Sequence, residues 1–216
     1  MEMIMRFVIF LAVFVCPVVP LISTPYSPDF HFSILEEQPI GTYVGRIQGT
    51  ACPTNKIYSL FPASTPFAIN QNGGITTTQL LDREKSSIYR LMVQEKCGGT
   101  TVYFTVYISI LDVNDNAPIF FKSHDETLLS VNSPVGTIVY TSIAYDVDTG
   151  VNSQIQYSLQ QLDPPLFAIN PYTGMITLSA PMNADFRSRT LTIIATDGGI
   201  PPLSNKMTLQ IHITVP

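Results

Sequence analysis

Apolar and polar residues alternate along most of this chain. From Val102 to Ile110 the even positions hold Val, Phe, Val, Ile and Ile, while Tyr, Thr, Tyr and Ser fill the odd ones. Thr190 to Ala195 keeps the same two-residue period, with Leu191, Ile193 and Ala195 on one side. Side chains point alternately to the two faces of a strand, so this period predicts strands with one face on a core. The runs are short and end in turn residues. Asn72-Gly73-Gly74 and Tyr172-Thr173-Gly174 predict hairpin turns between them. Beyond the amino-terminal segment, no stretch of about twelve residues carries a helical period. The chain is predicted to be all-β.

The pattern also repeats as a whole. Phe67-Ala68-Ile69-Asn70 recurs as Phe167-Ala168-Ile169-Asn170, with Gly74 and Gly174 at the same offset. Tyr58-Ser59-Leu60 recurs as Tyr157-Ser158-Leu159, and Pro39-Ile40-Gly41-Thr42 as Pro134-Val135-Gly136-Thr137. A period this long means tandem domains rather than a solenoid of small units. About 95–100 residues of short strands per unit fit a seven-stranded antiparallel Greek-key β-sandwich. The expected units are residues 24–118 and 119–216, with the boundary at Pro118, where proline ends the preceding strand.

Composition narrows the setting. Residues 7–22 are almost wholly apolar after one basic residue, Arg6, and are interrupted by Pro17 and Pro20. This predicts a secretory signal peptide over residues 1–23, cleaved near Ser23, rather than a membrane span of about 20 residues. No other run is long enough to span a bilayer. The expected location is therefore extracellular or the cell surface, and a membrane link would come only through an anchor in a longer parent chain. Met207 to Val215 stops in a strand-like run, as expected of a fragment of a longer surface protein or a truncated product. The net charge of −5 and the absence of any Lys/Arg run argue against nucleic acid as a partner. His31, His124 and His212 form no recognisable triad and no nucleophile motif accompanies them, so no enzymatic activity is expected. After signal removal Cys52 and Cys97 remain. In an oxidising compartment they can pair; the alternative is two buried thiols.

The densest chemistry lies mid-chain. Asp112-Val113-Asn114-Asp115-Asn116-Ala117-Pro118 places two aspartates and two asparagines between extended segments. Hard oxygens at this density suit Ca²⁺, which takes about 6–8 oxygen ligands. Asp146-Val147-Asp148 begins like an EF-hand loop. That loop requires Gly at its sixth position and Glu at its twelfth, where this chain has Val151 and Tyr157.

Taken with Leu81-Asp82-Arg83-Glu84, Asp146-Val147-Asp148-Thr149-Gly150-Val151-Asn152 and Ala195-Thr196-Asp197-Gly198-Gly199, the chain resembles the cadherin superfamily. The likeness covers nearly all of the mature sequence, as two tandem extracellular cadherin repeats. It implies about three Ca²⁺ ions at the junction of the repeats. Glu36 is the implied ligand from the start of the first repeat, with Glu37 as the alternative. Asp82 and Glu84 are implied at its base, with Arg83 between them pointing away. Asp112, Asn114 and Asp115 are implied from the linker, with the backbone carbonyls of Val113 and Asn116. Asp146, Asp148, the Asn152 carbonyl and Asp197 are implied from the second repeat. These positions hold half of the 16 acidic residues, so like charges would repel without metal and be nearly neutralised with it.

The departures from the family pattern are also informative. Val131 stands where the first repeat has Glu36, and Met182-Asn183-Ala184-Asp185 where it has Leu81-Asp82-Arg83-Glu84. The first repeat has Gln94-Glu95-Lys96-Cys97 in the region where the second carries Asp197, and no Asp-x-Asp in its upper loop. That is what a membrane-distal first repeat implies. The chain has no Trp, which excludes adhesion by exchange of a tryptophan-bearing strand. The likeness is therefore to the protocadherin and Fat/Dachsous-like branch. The implied function is calcium-dependent cell–cell adhesion or recognition, with Ca²⁺ rigidifying the junction and another cadherin ectodomain as partner, homophilic or heterophilic. The alternatives are a secreted or truncated calcium-binding fragment with little adhesion, or a calcium-dependent lectin.

Overall fold

The computed structural model describes residues 29–52, 55–183 and 187–215; the signal-peptide reading of residues 1–23 lies outside them. Among the described residues there are sixteen strands and no helix. The first half holds β1 (Phe30–Leu35), β2 (Tyr43–Arg46), β3 (Lys56–Phe61), β4 (Phe67–Ile69), β5 (Gly74–Thr77), β6 (Ile88–Cys97) and β7 (Thr100–Leu111). They form two sheets, ordered β1-β7-β6-β3 and β2-β5-β4.

The second half begins with β8 (Ile119–Phe120), β9 (His124–Ser130), β10 (Ile138–Thr141) and β11 (Ala144–Tyr145). It continues with β12 (Gln156–Gln160), β13 (Phe167–Ile169), β14 (Met175–Leu178), β15 (Ser188–Thr196) and β16 (Ser204–Thr214). Its two main sheets repeat the arrangement of the first half, as β12-β15-β16-β9 and β10-β14-β13. A two-residue pairing of β8 with β11 is added.

One pairing in each half departs from the antiparallel expectation. β1 runs parallel to β7, and β9 parallel to β16. The reason is topological. A chain that reverses at every connection sends its first and seventh strands the same way, so their pairing across the sheet edge must be parallel.

The two-residue period sorts each long strand. In β6, Leu91 and Val93 face inward; in β7, Phe104, Val106, Ile108 and Ile110 do the same. The second half repeats this with Leu191, Ile193 and Ala195 against Met207, Leu209, Ile211 and Ile213. Each half closes its own core, one around Ile75, Val106 and Ile108, the other around Ile176, Ile193 and Leu209. Each large aliphatic side chain fully buried in this way contributes roughly 1.5–3 kcal/mol.

The repeated asparagines hold the hairpin turns. Asn70 Oδ1 accepts from the amides of Asn72 and Gly74 at 2.9 and 3.0 Å, and Asn170 Oδ1 from those of Tyr172 and Thr173 at 2.9 and 3.0 Å. Gly174 has φ +67°, and a Cβ there would lie 2.2 Å from the Ser142 carbonyl oxygen. Only glycine fits both demands. At the far end of the first half, Cys52 and Cys97 are joined as a disulfide with Cα atoms 6.0 Å apart, tying the loop before β3 to the end of β6. The sequence left this pairing open.

Candidate metal centre at the junction

The carboxylates at the junction come from five separated stretches of chain, and each is aimed by local structure. Leu35 ends β1 beside Leu111 at the end of β7, so Glu36 follows directly against the linker. Its amide donates to the Leu111 carbonyl at 3.0 Å. Glu36 is completely buried. Its Oε2 accepts from the Arg83 amide at 2.6 Å and its Oε1 from the Val113 amide at 3.0 Å. Glu37 turns outward at φ 55°. The backbone thus separates two adjacent glutamates that the sequence left as alternatives.

Two groups of ligand-bearing oxygens converge: Glu36 with Glu84 and Asp112, and Glu84 with Asp115 and Asp148. Asp148 belongs to the second half, so these groups draw on both sandwiches. Further contacts cross between the linker and the second half. Asp112 Oδ2 accepts from Thr149 N at 3.1 Å and Asn152 Nδ2 at 2.9 Å. Asn116 Nδ2 donates to Asp148 Oδ1 at 2.8 Å, and Asn114 Nδ2 to Pro201 O at 2.8 Å and Asp197 Oδ1 at 3.3 Å. Asp197 is itself held by the amides of Gly199 and Leu203, at 2.9 and 3.0 Å. A Cβ on Gly199 would lie 2.1 Å from Asn114 Cγ, so only a bare backbone lets the linker asparagine lie here. Asp146 Oδ1 accepts from the Asp148 amide at 2.9 Å.

Three features differ from the sequence reading. Asp82 stands apart from the converging groups, with its carboxylate engaged by Lys85 at 2.7 Å. Asn152 meets the junction through its side-chain amide and Asn116 through its side-chain and backbone amides, while the Val113 carbonyl accepts from Asp115 N at 2.9 Å. Arg83 does not point away. Its guanidinium pairs with Asp112 and Glu84, lies 4.0 Å from Glu36, and donates to the Val147 carbonyl of the second half at 2.8 Å. The signal for this was present in the sequence. An arginine on a flexible stem, flanked by carboxylates, is drawn to the densest negative charge.

The electrostatics follow from this geometry. Burial opposes ionisation of Asp112, yet the Thr149 amide, the Asn152 side chain and the Arg83 charge hold its carboxyl below the usual range. Burial pushes Glu84 up to about 6, with the neighbouring Glu36 charge adding to the effect. Burial also raises Asp115, with Glu36, Glu37 and Asp148 adding to it. Asp146 is raised by burial and by the charges of Asp148, Asp197 and Asp112. Arg83 therefore compensates only part of the site.

The donors are all hard oxygens, and two are buried without a hydrogen-bond partner among the described residues, Asn114 Oδ1 and Asp146 Oδ2. Buried acceptors of this kind are costly unless something positive meets them. The residues fit a hard, oxygen-seeking divalent cation.

Residues 127–214 match the Cadherin domain family model. The chain is 33% identical over 189 residues to human Protocadherin Fat 4, and 35% identical over 205 residues to human Protocadherin-16. The alignments cover 85% and 87% of this chain but 4% and 6% of those relatives. The solved structure of mouse Cadherin-23 EC22-24 superposes with a TM-score of 0.80 at 32% identity, covering 88% of this chain and 64% of that one. This chain belongs to the cadherin superfamily. Within it, the likeness is to the protocadherin and Fat-like members. Cadherins are not an enzyme family, and the junction gathers carboxylates from both halves. For a cadherin repeat pair, the sixteen strands resolve into two copies of one sandwich, with the acidic groups where the copies meet.

Proposed function

We propose that this chain is a calcium-dependent adhesion or recognition ectodomain in which Ca²⁺ fixes the angle between two cadherin repeats. The repeats are residues 24–118 and 119–216, after a signal peptide at 1–23, and the chain works outside the cell or at its surface. The observation that carries this reading is the convergence of Glu84 and Asp115 with Asp148, a carboxylate set drawn from both halves. The bound ions, about three in number, supply positive charge at one point and pull on both halves at once. Glu36, Glu84, Asp112, Asp115, Asp146, Asp148 and Asp197 would hold them. Asp82 would join only by releasing Lys85. Arg83 already bridges to Val147 and offsets part of the charge until metal binds. Affinities of extracellular modules of this kind are about 10⁻⁴–10⁻³ M. The partner is another cadherin ectodomain.

Limited proteolysis of the mature chain, Thr24 to Pro216, tests the reading. Millimolar Ca²⁺ is expected to protect the Asp112–Lys122 segment, and Asp115→Ala to remove that protection. Equal cleavage with and without Ca²⁺ would remove the mechanical basis of the proposal.

A further inference from the structure

We propose that the outer face of the sheet β1-β7-β6-β3 is a docking surface for a partner segment that presents a bulky apolar side chain beside a carboxylate. A hollow of about 400 Å³ opens on this face, lined by Phe61, Pro62, Arg90, Leu91, Met92 and Thr105. The register places Phe61, Met92 and Thr105 in one row across β3, β6 and β7. Phe61 and Met92 are 40% and 45% exposed, and Ile57 and Tyr103 on the same face are also exposed. Large apolar side chains gathered around a concavity on an otherwise polar surface mark an interaction site.

Charge identifies the occupant. Arg90 and Lys96 point outward from β6 on this face, and neither is in an ion pair among the described residues. Lys56, Arg83, Lys85 and Lys122, by contrast, all pair with carboxylates. No strand residue directed outward on this sheet is Asp or Glu. An apolar hollow with the Arg90 guanidinium on its rim and Lys96 on the same face is locally complementary to an apolar anchor flanked by acid. The corresponding face of the second half is built otherwise. Gln160, Thr190 and Thr192 replace Phe61, Arg90 and Met92, and Thr190 Oγ1 donates to Gln210 Oε1 at 2.6 Å. This apolar and cationic lining is therefore particular to the first half and does not follow from the fold alone.

This inference rests on the recognition reading above but not on the metal, since no junction carboxylate lines the hollow. The test is nuclear magnetic resonance titration of the mature chain with a capped Asp-Phe-Leu-Asp peptide, and with Lys-Phe-Leu-Lys as control, each in Ca²⁺ and in chelator. The acidic peptide is expected to shift the amide signals of Phe61, Arg90, Met92 and Thr105 in both conditions, and the basic one to leave them unmoved. Arg90→Thr should weaken the response roughly fivefold, the upper end for a partly exposed ion pair. Phe61→Gln with Met92→Thr should abolish it. Both changes lie at exposed positions and copy residues the second sheet already carries, so an unchanged melting temperature is the folding control. Silence with both peptides, equal shifts from both, or shifts confined to other residues would overturn the proposal. So would a self-association of the chain that Phe61→Gln abolishes, which would give the face to a second copy. Failure of calcium protection in proteolysis would leave this result untouched.

Discussion

The two halves of this chain carry nearly the same apolar core but differ at the ends of the sandwich and on its outer faces. Leu91 and Val93 paired with Val106 and Phe104 correspond to Leu191 and Ile193 paired with Leu209 and Met207. Yet Glu36 is replaced by Val131, Glu95 by Ala195, and the pair Arg90 and Met92 by two threonines. At the far end of the first half Glu95 is buried, accepts from the Thr50 amide at 3.1 Å, and sits beside the disulfide. The difference teaches where each kind of constraint acts. Positions in the middle of the core must fill a fixed volume between two sheets, so they keep apolar residues of similar size. The buried Glu95 instead lies near the end of β6, where the Thr50 amide can satisfy it. Loop ends and outward faces meet no such limit and are free to carry charge, a crosslink or an apolar hollow.

Substitutions that act on one half alone would sharpen this comparison, and the largest effects are expected in the cores. Ile108→Ala and Ile211→Ala should each cost about 2–5 kcal/mol, and in urea each should lower the transition of its own half. A single transition that falls equally for both variants would break the picture of two separate cores. Next in size, Cys52→Ser with Cys97→Ser should remove about 2–4 kcal/mol from the first half only; the second half supplies the internal control in the same melt. Glu36→Val writes the second half's residue into the first. It strands the Arg83 and Val113 amides, at a cost of about 1–3 kcal/mol, and should also end the Ca²⁺ protection of the linker in proteolysis.

The smallest effect is a dependence on pH confined to the junction. Glu84 has its folded value raised to about 6, above that of an unfolded glutamate. Its contribution to stability without metal is therefore fully present below the unfolded value and is lost as pH rises through about 6. Calcium binding needs the carboxylates ionised, so with millimolar Ca²⁺ the slope should reverse. Urea midpoints on either side of pH 6, in chelator and in Ca²⁺, measure both slopes. Equal slopes in the two conditions would mean that the metal does not engage Glu84.

The sequence by itself determined that this is an all-β chain built twice on one pattern, because a two-residue period with turn residues at its breaks permits little else. It also supplied most of the junction donors, since Asp112 to Asn116, Asp146 and Asp148 are too polar and too closely spaced for a core. Tertiary structure decided what periodicity leaves undefined. Backbone direction turned Glu36 inward and Glu37 outward. The surrounding charge drew Arg83 into the site, and Lys85 held Asp82 away from it. Pairing of the first strand beside the seventh made one ladder in each half parallel. A period of two says which residues share a face. Which face meets a neighbour, and where a long charged side chain comes to rest, depends on groups distant in the chain that only folding brings together.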